Sequence, residues 1–235
     1  MIFLFYNLNY MNISLFISNK NDKIVDILIN FCIENFNIIE IFDINNIYNE
    51  SKYNDKNDFY ISFLNPYIIR DERIIKKGCI NFHPSSPKYK GVCGASLALY
   101  NNDEYFGVTS HYIDNKIDNG NIIDVIYFKI PKNINCLELN YITKNESLKL
   151  CIKILTNIKL SNKMPKNNDT FSWGKIMMTR KKFQDWITID LDKVKNIDEI
   201  KNKIKSCANE CFDGPFLKIG EKIYNIKINN PNKIL

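Results

Sequence analysis

The chain predicts an α/β protein: a Rossmann-like, mostly parallel sheet flanked by helices, with a small C-terminal helix plus β-hairpin. Three observations carry that expectation. Strand-like and helix-like runs alternate from Met11 to Ile130, the order of strands joined by helical crossovers. The 235 residues are 45% hydrophobic and 25% charged, enough apolar material for one well-packed domain with an appendage and no need of staples. Finally, the tail carries two alternating runs around Gly220-Glu221, a hairpin signal.

Each element follows from local pattern. Asn12–Ile17 is a β-branched and aromatic run, and 22–36 places Ile24, Ile27, Leu28, Phe31 and Cys32 at helical spacing. Ile38–Phe42 reads as a second strand, 45–57 as a polar loop, and Phe59–Leu64 as a third strand. Pro66 suits a first helical turn, with Ile68, Ile69, Ile74 and Ile75 on that helix and Gly78 as its stop. Cys79–Phe82 is a fourth strand, Ala95–Tyr100 a helix, and Phe106–Ile113 and Ile122–Ile130 two more strands. A long helical period covers Leu137–Ile158. Pro165 and polar residues follow, then an extended run at Trp186–Leu191, a helix at 197–208, and hairpin strands at Phe216–Ile219 and 222–228. The division expected is an extension at 1–10, a catalytic domain at 11–165 and a C-terminal subdomain at 166–235.

Composition narrows the function. A net charge of +6 without a basic block favours approach of an anionic substrate and does not imply nucleic acid. The apolar start, residues 1–18, has no basic flank and is broken by Asn7, Asn9 and Asn12, so it reads as neither a signal peptide nor a spanning helix. Seven scattered cysteines, with only Cys207 and Cys211 close together, suggest reduced thiols, a cytoplasmic location and no metal site. Between Ile17 and Ile24 there is no glycine, so the dinucleotide and P-loop fingerprints are absent.

The chemistry concentrates after the fourth strand. Both histidines of the chain, His83 and His111, fall in this stretch. In extended backbone Asn81 and His83 project to one side, bringing an amide donor and an imidazole to one crevice beyond the strand end. Asp118-Asn119-Gly120 forms a turn whose acid can reach the imidazole. A buried imidazole with a carboxylate partner is a general base, and Asn81 can hold a developing oxyanion. Spacing alone leaves a second reading open, in which His83 caps a strand and Asp118 only makes a turn. For His111 the choice is between touching ligand and bonding within its strand.

Asn81-Phe82-His83-Pro84-Ser85-Ser86-Pro87-Lys88-Tyr89-Lys90-Gly91 resembles the N-x-H-P-S-x-x-P-x-[YF]-[RK]-G signature of the folate-dependent formyltransferases, one residue shorter before its last part. Gly107-Val108-Thr109-Ser110-His111 and Ile117-Asp118-Asn119-Gly120-Asn121-Ile122-Ile123 resemble two further family segments, in order, with His83 and Asp118 about thirty-five residues apart. The resemblance spans roughly residues 59–130. It implies 10-formyltetrahydrofolate as donor, an amine as acceptor, and no metal. By position it implies that Asn81 holds the formyl oxygen, His83 takes the amine proton and Asp118 orients His83. It places Phe63, Leu64, Pro66, Tyr67, His111, Tyr112, Ile113 and Asp114 beside the folate.

Three branches of that family compete. The glycinamide ribonucleotide branch has a glycine-containing loop after the first strand, where this chain reads Ile17-Ser18-Asn19-Lys20-Asn21-Asp22. The methionyl-tRNA branch is usually about eighty residues longer. The remaining branch acts on nucleotide-linked amino sugars, and Lys203-Ile204-Lys205-Ser206-Cys207 and Phe212-Asp213-Gly214-Pro215-Phe216 through Tyr224 are similar to its C-terminal helix and hairpin, with Lys205 where arginine is usual. The expected acceptor is a dTDP-linked 4-amino-4,6-dideoxyhexose, dTDP-4-amino-4,6-dideoxyglucose first, in surface polysaccharide (O-antigen) synthesis. Ser85, Lys88, Tyr89, Lys90, Gly91 and Gly94 are candidates for the substrate, with Trp173 and Trp186 as platforms for thymine. The resemblance further implies a homodimer and neither nucleic acid nor membrane as partner. A module of another class, which binds folate or nucleotide sugar without catalysis, and a hydrolase that releases formate are the alternatives.

Overall fold

The computed structural model describes residues 10–194, 196–207 and 215–226. The expected extension at 1–10 (apart from Tyr10), the expected helix end at Ala208, Cys211, residues 212–214 of the resemblance and the expected strand residues 227–228 lie outside the described residues.

The chain opens with β1 (Asn12–Ile17), α1 (Lys23–Asn35) and β2 (Asn37–Phe42). Asp22 caps α1 by accepting from the Ile24 N–H at 2.9 Å. The buried stripe of α1 is Ile24, Val25, Leu28 and Cys32. Ile27, expected on that stripe, is half exposed, and Val25 takes its place on the buried face. A short 3-10 turn at Glu50–Lys52 precedes β3 (Phe59–Phe63). The helix expected from Pro66 begins only at Glu72: α2 (Glu72–Lys77) is capped by Asp71, whose carboxylate accepts from the Arg73 N–H, and ends at Gly78 with φ +99°. An earlier start gives way to a local Asn65 turn, whose side chain accepts from the Tyr67 N–H and leaves Pro66 outside a helix.

Then come β4 (Cys79–His83), β5 (Tyr89–Gly91), α3 (Gly94–Tyr100), β6 (Tyr105–Tyr112), β7 (Ile122–Lys129) and α4 (Cys136–Ser161). The tail adds β8 (Ile176–Met178), α5 (Arg180–Trp186), β9 (Thr188–Asp190), α6 (Ile197–Cys207), β10 (Phe216–Ile219) and β11 (Lys222–Asn225). The extended run expected at Trp186–Leu191 is therefore split between the end of α5 and β9.

The main sheet has the order β2-β1-β3-β4-β6-β7. Its first four strands are parallel, and β6 and β7 run antiparallel to their neighbours. On one face α1 and α4 bury Leu28, Cys151, Ile154, Leu155 and Ile158 against Leu15, Ile61 and Ile80. Such side chains stabilise by ~1.5–3 kcal/mol each when fully buried. Around α2 a second cluster joins Phe16, Phe42, Tyr60, Ile74 and Cys79. Helices cover the sheet, and the functional side chains gather where β4 ends.

Candidate active site

Register brings the first pair together. Asn81 on β4 lies directly opposite His111 on β6, and the Asn81 Nδ2 is 3.0 Å from His111 Nε2. The His111 Nδ1 sits 2.8 Å from the Tyr112 carbonyl, so Nδ1 carries a proton, and Nε2 faces both the Asn81 amide and the Asp118 carboxylate. Two residues beyond Asn81, the last residue of β4 is His83, whose Nε2 is 2.9 Å from the Tyr89 carbonyl.

Asp118 closes the group from the loop between β6 and β7. Its carboxylate lies 3.6 Å from His83 Nε2 and 3.4 Å from His111 Nε2, and accepts from the Gly91 N–H at 2.6 Å. Its backbone is left-handed, φ +44°, a conformation aspartate tolerates better than most residues. Burial pushes the Asp118 carboxyl up, but His83, His111 and the Gly91 amide outweigh it, and the group is held down at about 2. The acid is thus a fixed anion near neutral pH. All three ionisable side chains are under a tenth exposed.

Around Nε2 of His83 stand two acceptors, the Tyr89 carbonyl and Asp118. That surrounding assigns the proton to Nε2 and leaves the lone pair on Nδ1. The group therefore combines an amide donor, an imidazole with a free lone pair and a buried counter-anion. Such a set can take a proton from a nucleophile and hold negative charge developing on a carbonyl oxygen. Among the described residues no cluster of His, Cys, Asp and Glu could hold a metal ion, and no helix is long and apolar enough to cross a membrane.

A scan against known families matches residues 59–154 to the formyl transferase model. The matched segment contains Asn81, His83, His111 and Asp118 together. Curated relatives include the methionyl-tRNA formyltransferase of Orientia tsutsugamushi, 32% identical over 100 residues, 42% of this chain and 33% of that one. Another is that of Clostridium tetani, 29% identical over 155 residues, 63% of this chain and 48% of the relative. The chain spans a third to a half of the length of these relatives. In fold it is similar to a 4-N formyltransferase from Francisella tularensis, with a TM-score of 0.76 at 16% identity over 93% of this chain and 97% of that one. It is also similar to an N-formyltransferase from Helicobacter canadensis in complex with folinic acid and dTDP-3-aminofucose, with a TM-score of 0.62 at 21% identity over 90% and 84%.

The other candidates separate by environment. Leu64, at the end of β3, is left-handed with φ +51°, and Pro66 and Tyr67 beside it are exposed. Phe63 is the exception: its ring is fully buried in the core against Phe82, so its side chain is closed to a ligand. Tyr112 donates its hydroxyl to the Pro165 carbonyl, Ile113 packs on the cluster at α2, and Asp114 accepts from the Lys116 N–H and from Asn119.

Of the substrate candidates, the Tyr89 ring is buried and its hydroxyl is bound to Asp103 and Asn101, which gives it to the core and corrects the expectation. Lys88 is tied to Asp103 at 2.7 Å, whereas Lys90 and Gly91 are partly open. The Ser85 hydroxyl is buried without a hydrogen-bond partner among the described residues, and a Cβ on Gly94 would lie 2.1 Å from it. Trp186, partly buried, stacks on Phe183 and meets Tyr100 edge-on, packing α5 onto α3. Trp173 lies instead against the two imidazoles, with ring centroids 4.9 Å from His111 and 6.1 Å from His83. Sequence reasoning passed over Thr109, which stands opposite His83 and donates to the Ser85 carbonyl at 2.8 Å. The strand alternation that aligns Thr109 with His111 was the available signal.

Proposed function

We propose that the protein transfers the formyl group of 10-formyltetrahydrofolate to the amine of a nucleotide-linked amino sugar. The observation that carries this reading is the convergence of Asn81, His83 and Asp118 within the formyl transferase segment, from strand β4 and the β6–β7 loop meeting at one sheet end. In this reading the amine loses its proton to Nδ1 of His83 and attacks the formyl carbon. Asn81, steadied by His111, donates to the oxygen as it gains charge, and one such donor is worth about 3–4 kcal/mol of barrier. Asp118 stabilises the imidazolium, and the proton then passes to the departing folate nitrogen.

Several features support the finer terms of the reading. The similar Helicobacter canadensis structure is a complex with folinic acid and dTDP-3-aminofucose, and the similar Francisella protein is a 4-N formyltransferase. A dTDP-linked 4-amino-4,6-dideoxyhexose remains the acceptor we favour, with a role in surface polysaccharide synthesis in the cytoplasm. Leu64, Pro66, Tyr67, Tyr112, Ile113 and Asp114 are the segment we assign to folate, and Lys90, Gly91 and Gly94 the edge we assign to the sugar nucleotide. A homodimer through the β10–β11 hairpin is part of the same proposal. The curated sequence matches favour a second reading, formylation of methionyl-tRNA.

The test is incubation with 10-formyltetrahydrofolate and, separately, thymidine- and uridine-linked 3- and 4-amino sugars or charged initiator tRNA. The expected product is an amino-sugar nucleotide heavier by one formyl group. Formylation of tRNA alone, or of no acceptor, overturns the proposal.

A further inference from the structure

The segment that follows α4 returns across the site. The Asn168 N–H donates to the Ile122 carbonyl at 2.8 Å, and β8 pairs in parallel with β5, the strand that gives its Gly91 N–H to Asp118. Between those two anchors lies Trp173-Gly174. The Trp173 Nε1 donates to the Gly120 carbonyl at 2.8 Å, on the loop that carries Asp118. The next residue, Gly174, donates its N–H to the Pro87 carbonyl at 2.8 Å, on the loop that follows His83. Two adjacent residues thus fasten together the two loops whose carboxylate and imidazole must meet.

Both fastenings are tight. A Cβ on Gly120 would lie 1.8 Å from the Tyr112 carbonyl oxygen, and one on Gly174 would lie 2.7 Å from the Lys88 carbonyl oxygen. The indole meets His111 edge-on with an interplanar angle of 87°, and it is tilted at 56° to His83. Beneath it, His83, His111 and Asp118 keep 7%, 3% and 8% of their side-chain surface. A covered, polar site of this kind favours a bound nucleophile over water.

We propose that Trp173 is a positioning residue that holds the Asp118 loop against the His83 loop and shields the imidazoles, so directing the formyl group to an amine rather than to water. This rests on the formyl-transfer reading above. In the competing reaction a water oxygen bonds to the formyl carbon and one water proton passes to His83 and then to the folate nitrogen. The carbon–nitrogen bond breaks, and formate, a released proton and tetrahydrofolate result. Trp173 is well placed to set the balance because the indole ring covers the base while its N–H fixes the acid.

The experiment measures formylated product and formate in the same reaction, with 10-formyltetrahydrofolate and the acceptor found by the screen above. Trp173→Ala is expected to raise the formate-to-product ratio about tenfold, the change that roughly 1.4 kcal/mol of relative barrier gives. Trp173→Phe keeps an aromatic cover and loses the bond to Gly120, so it is expected to lower kcat while leaving the ratio near wild type. If Trp173→Ala does not fold, Trp173→Leu takes its place. An unchanged ratio in the folded Ala or Leu variant overturns the proposal, as does a Phe variant with the same ratio as Ala. Failure of the wild-type protein to bind 5-formyltetrahydrofolate and to form product instead overturns the formyl-transfer reading, which separates the two failures.

Discussion

Replacing Asp118 by Asn removes one charge and keeps the shape. In wild type the carboxylate stands 3.6 Å from His83 Nε2 and 3.4 Å from His111 Nε2. When His83 takes the proton of the nucleophile, the new imidazolium meets this anion. At an effective dielectric of about 20 that attraction is about 4–5 kcal/mol. The amide of Asn, still able to accept from the Gly91 N–H, returns part of it, and a net loss of about 3–4 kcal/mol corresponds to roughly 10²–10³ in kcat. KM is expected to change little, because the charge being stabilised forms only as the reaction proceeds. Stability gives an independent check. The Asp118 carboxyl is held at about 2 in the folded chain, below its ordinary 3.8. A depressed folded value contributes stability that is fully present above the unfolded value and is lost as pH falls through the folded one. Denaturant titrations of wild type should therefore lose roughly 2 kcal/mol between about pH 4 and pH 2 through this group, and Asp118→Asn should lack that component. A variant with kcat within tenfold of wild type, or with an unaltered acid limb, would refute the reasoning.

Three further outcomes follow from local geometry. Gly120→Ala drives a methyl group into the Tyr112 carbonyl and should displace the Asp118 loop, with turnover down by about 10²-fold and the thermal midpoint lowered, read by activity and calorimetry. Asn135 and Glu138 form a reciprocal cap at the start of α4, each side chain bonded to the other's backbone N–H at 3.0 Å, so Asn135→Ala should cost about 1 kcal/mol in urea unfolding without touching kcat. Burial pushes the Cys32 and Cys207 thiols up to about 12, so at pH 8 an aromatic disulfide reagent should modify the partly exposed Cys93 first among the described cysteines, as mass mapping of the labelled peptides would show.

Periodicity made the sheet legible because its strands are bounded by residues with strong local meaning. β1 begins and ends where the β-branched run does, and Gly78 ends α2 by a left-handed turn that few other residues adopt. The same logic misplaced the start of α2, because Pro66 permits a helix without requiring one and the Asn65 side chain bonds locally instead. Burial was harder to foresee. Phe63 and Tyr89 sit in segments with functional motifs, yet strand alternation and a hydroxyl satisfied by Asp103 turn both rings inward.

The Asn81–His111 contact was one step from legible, since opposite positions on paired strands share a face, but β4 and β6 are joined through β5 and α3, and no local pattern fixes the register across that connection. Trp173 was not legible in that way. Its partners lie about fifty residues away at Gly120 and about ninety at His83, and no local pattern distinguishes an indole that packs a core from one that covers a base. What distinguishes it in the fold is the neighbouring Gly174, whose amide holds Pro87 and whose missing side chain lets the strap lie against Lys88. A bulky residue followed by glycine thus acts as a unit here, one residue filling the space over the imidazoles and the next allowing the backbone close enough to put it there.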